Sequence, residues 1–160
     1  MSQKIHKTNA LRILDAQKIS YKALEYPIDD GLIDGVSVWT KVGVDPKVFF
    51  KTLVARGKDK RILVFVIPIS KELDLKKAAQ AAGEKSIELV AVKELLGLTG
   101  YVRGGCSPIG MKKKFPTFTD SSIELIESIY VSAGKKGMIV GMSTSEYVKI
   151  TESVLVAVAH

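Results

Sequence analysis

The most informative absences in this sequence concern the side chains on which many enzymes depend. Its 160 residues include one cysteine, Cys106, and two histidines, His6 near the start and His160 at the end. A Ser-His-Asp or Cys-His site would therefore have to use a histidine from one end of the chain. No H-x-x-x-H or C-x-x-C spacing suits zinc, and a single cysteine excludes an internal disulfide. We expect neither a metal site nor a histidine-based catalytic site.

Long apolar runs and nucleotide-binding signatures are also lacking. No run approaches the roughly 18 apolar residues of a membrane span, and the polar segment 1–7 has no signal-peptide core. There is no G-x-G-x-x-G, and the nearest approach to a P-loop, residues 105–110, is followed by Met111 where a lysine belongs. We therefore expect a cytoplasmic protein without membrane contact that works without a cofactor.

What is present indicates a basic globular protein. The hydrophobic fraction is 46%, and the length suits one domain over residues 1–160. The net charge of +7 favours a polyanionic partner, nucleic acid first, although many small basic proteins bind no nucleic acid.

Hydrophobic periodicity predicts helices and strands along the whole chain. The predicted helices are 4–18, 36–42, one capped by Asp74 and ended by Gly83, 92–96 closed by Gly97, and one opened by Ser143 and Glu146. The predicted strands are 20–25, 48–55, 61–67, 126–131, 138–140 and 154–158, with hairpins around 57–60 and 133–137. Strands in hairpins with interspersed helices predict a mixed, largely antiparallel α+β domain.

Lys51 is the most informative single residue. It lies in the predicted strand 48–55, on one face with Phe49 and Leu53. An unpaired buried charge is costly, so this lysine needs a partner or a route to water. It is either a lysine at a sheet edge or in an internal ion pair, or an amine that holds a phosphate or a developing oxyanion in a pocket.

The segment 99–110 is rich in glycine and lies before a run of three lysines, 112–114. Gly104 and Gly105 permit unusual backbone angles and close approach of a ligand, and Pro108 stiffens the turn. Its main-chain groups are suited to gripping a hydroxyl or a carbonyl, although glycine content alone is equally typical of a structural turn. The lysine run is either a solvated face or a phosphate contact. Cys106 lacks a visible activating partner, so we interpret it as a free thiol and not a nucleophile.

Two aromatic residues and a hairpin serine complete the candidates. Tyr26, at a strand end beside Pro27, is a better candidate for stacking on a base than Trp39, although such aromatics more often belong to a core. Ser132 lies at a hairpin tip with lysines, where its hydroxyl can reach a neighbouring loop or simply face solvent.

Four segments together resemble one family. They are Phe50-Lys51-Thr52-Leu53, residues 73–79, the loop 100–113 with Gly104-Gly105-Cys106-Ser107-Pro108, and the hairpin 129–137. In order and spacing they are similar to the Cys-tRNA(Pro) deacylases of the YbaK/EbsC type. These belong to a wider group of editing domains related to the insertion domain of bacterial prolyl-tRNA synthetase. The resemblance runs from about residue 4 to residue 156.

The resemblance implies a freestanding editing enzyme that releases cysteine misattached to tRNA(Pro) beside prolyl-tRNA synthetase. It implies a mixed sheet partly closed into a barrel with surrounding helices. The family's essential lysine falls on Lys51 and its loop glycine on Gly104, which we take as the catalytic pair. Its tyrosine falls on Tyr26 and its hairpin serine on Ser132. The full set of expected substrate contacts is Tyr26, Thr52, Gly105, Ser107, Pro108 and Ser132.

Two positions depart from the family pattern, and both bear on selectivity. Where many members have Phe-Gly-Asp, this chain has Asp34-Gly35-Val36, and where some have aspartate past the hairpin, it has Ile139. An enzyme that clears alanyl- or seryl-tRNA is therefore one alternative, a non-catalytic tRNA-binding module is a second, and a generic basic structural domain is a third. Since an aminoacyl ester is already activated, we expect the enzyme to need positioning more than a strong base. The resemblance implies that the substrate's own thiol attacks the carbonyl carbon of the ester.

Overall fold

The hairpin that carries Lys51 lies inside the larger of the two sheets that the described residues form. The computed structural model describes residues 7–31 and 35–160. Strand β2 (Phe50–Gly57) pairs antiparallel with β3 (Ile62–Pro68), with Lys51 opposite Ile67. The main-chain N–H of Gly57 donates to the carbonyl oxygen of Arg61 at 2.9 Å, which closes the turn. The predicted hairpin around 57–60 is thus confirmed.

Three further strands complete this sheet in the order β4-β2-β3-β5-β8. They are β4 (Ile87–Leu89), β5 (Thr117–Asp120) and β8 (Val154–Val156). The contacts of β5 with β3 and with β8 are parallel, whereas β2 and β4 are antiparallel. The sequence predicted neither β4 nor β5, because each is short and depends on partners distant in the chain. The closing strand predicted at 154–158 ends earlier, at Val156.

A smaller, antiparallel sheet has the order β1-β7-β6. It contains β1 (Lys22–Glu25), β6 (Ser128–Ser132) and β7 (Met138–Ser143). The two sheets meet where the N–H of Tyr130 donates to the carbonyl oxygen of Val48 at 2.8 Å, just before β2 begins. The paired strands predicted at 126–131 and 138–140 are confirmed.

The expectation of a partly closed barrel is wrong. In the described ranges each sheet is open, with β4 and β8 at the edges of one and β1 and β6 at the edges of the other. A barrel requires the first and last strands of a sheet to hydrogen-bond, and here only a short bridge joins the two sheets. The mixed, largely antiparallel α+β architecture itself is confirmed.

Helices cover the sheets, and their ends follow local capping rules. They are α1 (Asn9–Ala16), α2 (Gly35–Val42), α3 (Leu75–Ala82), α4 (Leu95–Thr99) and α5 (Thr144–Thr151), with 3₁₀ turns at Val92–Glu94 and Ser121–Leu125. As predicted, Asp74 accepts from the N–H groups of Lys76 and Lys77, and Gly83 ends α3 in the left-handed region. Residues 4–6 of the predicted helix 4–18 lie outside the described ranges.

One predicted helix end is wrong. Gly97 does not close the helix at 92–96; α4 continues through it and ends at Gly100, whose φ is +84°. A single glycine is tolerated inside a helix, whereas the left-handed terminal position favours glycine.

The core explains why β2 and β3 are apolar on both faces. On one face Phe65 and Ile67 pack with Ala78 of α3. On the other, Phe50 and Val66 belong to a cluster with Leu11 of α1 and the smaller sheet. A strand covered on both faces has a nearly continuous run of apolar residues in its sequence, so a lysine within such a strand is exceptional.

Candidate functional site

A cavity of about 320 Å³ lies beside the first half of β2. The start of β2 forms one wall, and the loop that contains Gly104 forms another. The cavity is completed by Ser132 at the end of β6, Ile139 of β7, Tyr26 just after β1 and Val38 of α2. Of the residues that the sequence proposed for a site, the cavity brings together Tyr26, Lys51, Thr52, Gly104 and Ser132.

Lys51 supplies the only lysine amine in the cavity lining of the described chain. The side chain is partly buried, and within residues 7–31 and 35–160 no hydrogen bond or ion pair engages its Nζ. Burial lowers the pKa of Lys51, and the negative charge of Glu72 partly offsets this shift. The amine is therefore partly desolvated and available to a ligand.

The edge of β2 is open along the cavity. Alternate residues of segment 48–54, which leads into β2, bond the chain on its two sides. Phe49 accepts from Ile69 on the β3 side, while Val48 and Val54 accept from Tyr130 and Val90 on the other side. By this alternation, the main-chain groups of Phe50 and Thr52 face away from β3.

Between the contact with Tyr130 and the contact with Val90, no strand of the described chain pairs with this edge of β2. The side chain of Thr52, on this edge of β2, also lacks a partner within the described ranges. The Oγ1 atom of Thr52 is buried and has no hydrogen-bond partner, alone among the buried side-chain nitrogen and oxygen atoms of the described residues. Since buried polar groups are rarely left unpaired, the hydroxyl of Thr52, a residue of the cavity lining, is a candidate for a hydrogen bond to a ligand.

The glycine loop divides into residues that line the cavity and residues that build the loop. Gly104, with φ of +85°, lines the cavity. Gly105 does not line the cavity and packs against the hairpin instead. A Cβ on it would lie 2.8 Å from the main-chain carbon atoms of Lys135. Ser107 is fully buried, and its Oγ accepts from the N–H of Ile109 at 3.2 Å. Pro108 lines a separate cavity of about 210 Å³.

Tyr101 holds this loop against the hairpin that joins β6 and β7. Its hydroxyl donates to the carbonyl oxygen of Ile109 at 2.6 Å, and its ring lies against Gly134 at the hairpin tip. Burial raises the pKa of Tyr101 to about 12, so the phenol stays a donor. Ser132, whose Oγ accepts from the N–H of Gly134 at 3.4 Å, is thereby placed beside the loop.

Cys106 also reaches the cavity, although it is 8% exposed. Burial raises the pKa of its thiol to about 11, so the neutral form dominates at pH 7. This agrees with its interpretation as a free thiol. Tyr26 is buried with Val38 and Phe49 as well as lining the cavity, whereas Trp39 packs on that cluster without lining it.

The cavity contains several residues that the sequence did not single out for a site. They are Val38, Phe49, Phe50, Leu53, Ile69 and Arg103. Most are apolar walls, for which a single sequence carries no signal beyond hydrophobicity. The position of Arg103 next to Gly104 is the one local hint. Of the two departures from the family pattern, Ile139 is a buried wall residue, and Asp34 lies outside the described residues.

No carboxylate lines this cavity within the described chain, so its chemistry rests on an amine, a guanidinium, hydroxyls and main-chain groups. Over the same ranges no group of three or more His, Cys, Asp or Glu side chains is arranged to hold a metal ion. A search of the described helices also finds none with the length and apolarity that crossing a bilayer demands.

Comparison with known proteins relates this geometry to editing enzymes. A protein from Enterococcus faecalis named as a Cys-tRNA(Pro)/Cys-tRNA(Cys) deacylase, EbsC, is 42% identical over 91% of this chain and 88% of its own length. A proline–tRNA ligase of Brachyspira hyodysenteriae is 32% identical over 56% of this chain, which is 15% of the ligase. A crystal structure described as a trans-editing enzyme for prolyl tRNA synthetase has a TM-score of 0.80 at 20% identity, covering 95% of this chain and 97% of the other.

The family model described as the aminoacyl-tRNA editing domain matches residues 36–150. That range includes Lys51, the glycine loop and the hairpin with Ser132, and the EbsC relative extends the similarity over most of the chain. The structural likeness, at 20% identity, agrees at the level of the fold. The chain belongs to the aminoacyl-tRNA editing domain family.

Proposed function

We propose that this protein releases cysteine that has been attached in error to tRNA(Pro). The observation that carries the proposal is the partly buried Lys51 amine, which has no partner in the described chain and lines the same cavity as Gly104. The EbsC relative, named for this activity, supports the choice of substrate. The proposed site of action is the cytoplasm, beside prolyl-tRNA synthetase.

The cavity suits a small aminoacyl ester. Its volume of about 320 Å³ lies at the lower end of the range for small-molecule sites. Apolar walls such as Phe49 and Ile139 favour an uncharged side chain, and the absence of a lining carboxylate disfavours a cationic one. Thr52 and the open edge of β2 offer hydrogen bonds to the polar atoms of the ester.

The chemistry follows from the reactivity of the substrate. The thiol of cysteine has a pKa of about 8.5, so a few per cent is thiolate at neutral pH, and the Lys51 ammonium nearby raises that fraction. The sulfur attacks the carbonyl carbon of the same residue. The new S–C bond closes a four-membered thiolactone, the C–O bond to the ribose breaks, and the thiol proton ends on the ribose hydroxyl.

Each proposed contact has a role in this step. Lys51 holds the terminal phosphate or the carbonyl oxygen on which negative charge develops. Main-chain groups at Gly104 hold the ribose hydroxyl, while Tyr26 and Ser132 bound the ester. Serine is nearly isosteric with cysteine but far less nucleophilic. Cysteine is therefore distinguished from serine by its reactivity, because a pocket alone distinguishes side chains by only about 1–3 kcal/mol per small group.

The decisive experiment compares Cys-, Ala- and Ser-tRNA(Pro) as substrates of the purified protein. We expect release of cysteine to be fastest. Faster release of alanine or serine would instead support the second candidate, an alanyl- or seryl-tRNA deacylase, which is favoured by Ile139 in place of a carboxylate. Binding of tRNA without release of any amino acid would contradict both.

Lys51→Ala tests the central residue. Removing a group that stabilises developing charge costs about 100- to 1,000-fold, so we expect kcat/KM for Cys-tRNA(Pro) to fall by at least about 100-fold. Lys47→Ala is the matched control, since Lys47 is exposed and does not line the cavity. Full activity of Lys51→Ala would end the proposed mechanism.

A further inference from the structure

The net positive charge of the chain is concentrated in two segments. Residues 95–119 and 128–145 contain no Asp or Glu, although the whole chain has 17 of these residues. The same segments contain six cations, against a net charge of +7: Arg103, Lys112, Lys113, Lys114, Lys135 and Lys136. Nearly all of the net charge therefore comes from these two segments.

The fold brings these two segments together at the cavity. Gly105 lies so close to the hairpin that an added Cβ would meet the main chain of Lys135 at 2.8 Å and that of Lys136 at 2.9 Å. Arg103 is exposed and lines the cavity, Lys136 is exposed, and Lys135 is partly exposed. We call Arg103, Lys135 and Lys136 the basic rim.

The remaining three cations point elsewhere. Lys112 donates to the carbonyl oxygen of Gly97 at 3.4 Å, and Lys114 pairs with Glu152. Lys113 and Lys114 line the separate 210 Å³ cavity, which shares no residue with the candidate site. By contrast, no ion pair engages any residue of the basic rim within the part of the chain that the structure describes.

We propose that the basic rim is the surface that binds the phosphates of the single-stranded 3′ end of tRNA. The inference rests on the proposed function, which puts the ester of the terminal ribose in the cavity. The phosphates that precede this ribose must then leave through the entrance. Three cations without neighbouring carboxylates in their own segments form an electrostatic path for such a strand.

An acidic protein surface is the competing occupant, and the chemistry of the site favours RNA. A strand whose last nucleotide is held in the cavity has phosphates at fixed short intervals, and the rim begins at the residue next to Gly104. Lys135 and Lys136 lie on a hairpin tip whose main chain packs against that loop, so the backbone that carries them is already in place for a ligand.

The test neutralises Lys135 and Lys136, the two rim residues that do not line the cavity. In Lys135→Gln combined with Lys136→Gln, the main-chain packing on Gly105 is kept. Each phosphate contact to a single strand contributes about 0.7 to the slope of log affinity against log salt. We expect the double variant to bind deacylated tRNA about tenfold more weakly near 0.15 M salt and to lower this slope by about 1.4. Lys76→Gln combined with Lys77→Gln on α3, also exposed, is the matched control and should match the wild type.

A phosphate-free substrate separates this inference from the proposed function. With 3′-O-cysteinyl-adenosine, we expect the rim variant and the wild type to release cysteine equally, while KM for Cys-tRNA(Pro) rises in the variant. An unchanged salt slope would overturn the inference, as would equal losses on both substrates, which would indicate a distorted pocket. Loss of binding to prolyl-tRNA synthetase with unchanged tRNA affinity would assign the rim to a protein and also overturn it. If the wild type released cysteine from neither substrate, the proposed function would fail, while the tRNA-binding comparison would still decide whether the rim binds RNA.

Discussion

At the scale of single residues, the site contains two groups that lower the stability of the folded protein. Lys51 is a partly desolvated amine, and Thr52 has a buried hydroxyl without a partner in the described chain. Each lowers stability relative to an apolar residue of similar shape. Both residues line one cavity, which is the pattern expected when binding and not folding has selected them.

Thr52→Val separates these two contributions. Replacing an unpaired buried hydroxyl by a methyl group of the same shape is nearly neutral or stabilising, so we expect the free energy of unfolding to change by less than about 0.5 kcal/mol or to rise. Lost hydrogen bonding to the ester should raise KM for Cys-tRNA(Pro) or lower kcat. Urea unfolding and steady-state kinetics measure the two effects. A large loss of stability would show that the hydroxyl has a structural partner.

At the scale of structural elements, the site depends on a loop packed against a hairpin. The loop is tied internally by Tyr101 and Ser107, and it touches the hairpin where Gly105 meets Lys135. Gly104 and Ser132 are the residues on either side of this contact that reach the cavity. The separation of loop and hairpin therefore sets the geometry of the substrate site.

Gly105→Ala should disturb that separation. Its Cβ would lie 2.8 Å from main-chain atoms, which cannot move as freely as a side-chain end. Overpacking of this kind costs about 1–3 kcal/mol, and we expect kcat/KM to fall by at least about tenfold. Gly97→Ala in α4 is the control: a Cβ there meets nothing within 4 Å, so helix propensity should stabilise the protein by about 0.5–1 kcal/mol with activity kept. Equal behaviour of the two variants would contradict the packing argument.

At the scale of the whole molecule, Asp120 joins the end of the chain to the larger sheet. Its carboxylate is buried and accepts from the main-chain N–H groups of Val158 and Ala159 at 3.0 and 3.1 Å. Burial by itself would raise the pKa of Asp120, but the hydrogen bonds from Ser122, Val158 and Ala159 together outweigh it and lower the pKa.

A lowered pKa in the folded state makes stability depend on pH. The ionised form is favoured by folding, so the contribution of Asp120 is present above its unfolded pKa of about 3.9 and is lost as pH falls through the lower folded value. We expect Asp120→Asn to lower the free energy of unfolding by about 1–3 kcal/mol at pH 7, with the difference from wild type shrinking near pH 3. Asp29→Asn, at an exposed turn, is the control in the same urea titrations. A pH-independent difference would rule out the linkage.

The local patterns of the sequence were sufficient for several features. The β2–β3 hairpin, the caps of α3, the lysine in an apolar strand and the glycine loop all depend on residues close together in the chain. The scarcity of histidine and cysteine is the basis of a proposal, a site that acts by positioning the substrate and not through a histidine. The residues of the family resemblance then led to the aminoacyl-tRNA editing domain family, which the comparisons support.

Other features arise only from contacts between distant segments. Strand β5 needs its parallel partners, and the open edge of β2 exists because β4 and β6 stop pairing at different points. Tertiary packing also turns Gly104 and Cys106 into the cavity while Gly105 and Ser107 hold the loop together. Neither pairing register nor the direction of a loop side chain is encoded in local periodicity. Strand register and loop direction are set by which apolar surfaces pack together and exclude water. This packing brings Lys51 and Gly104 to the same cavity.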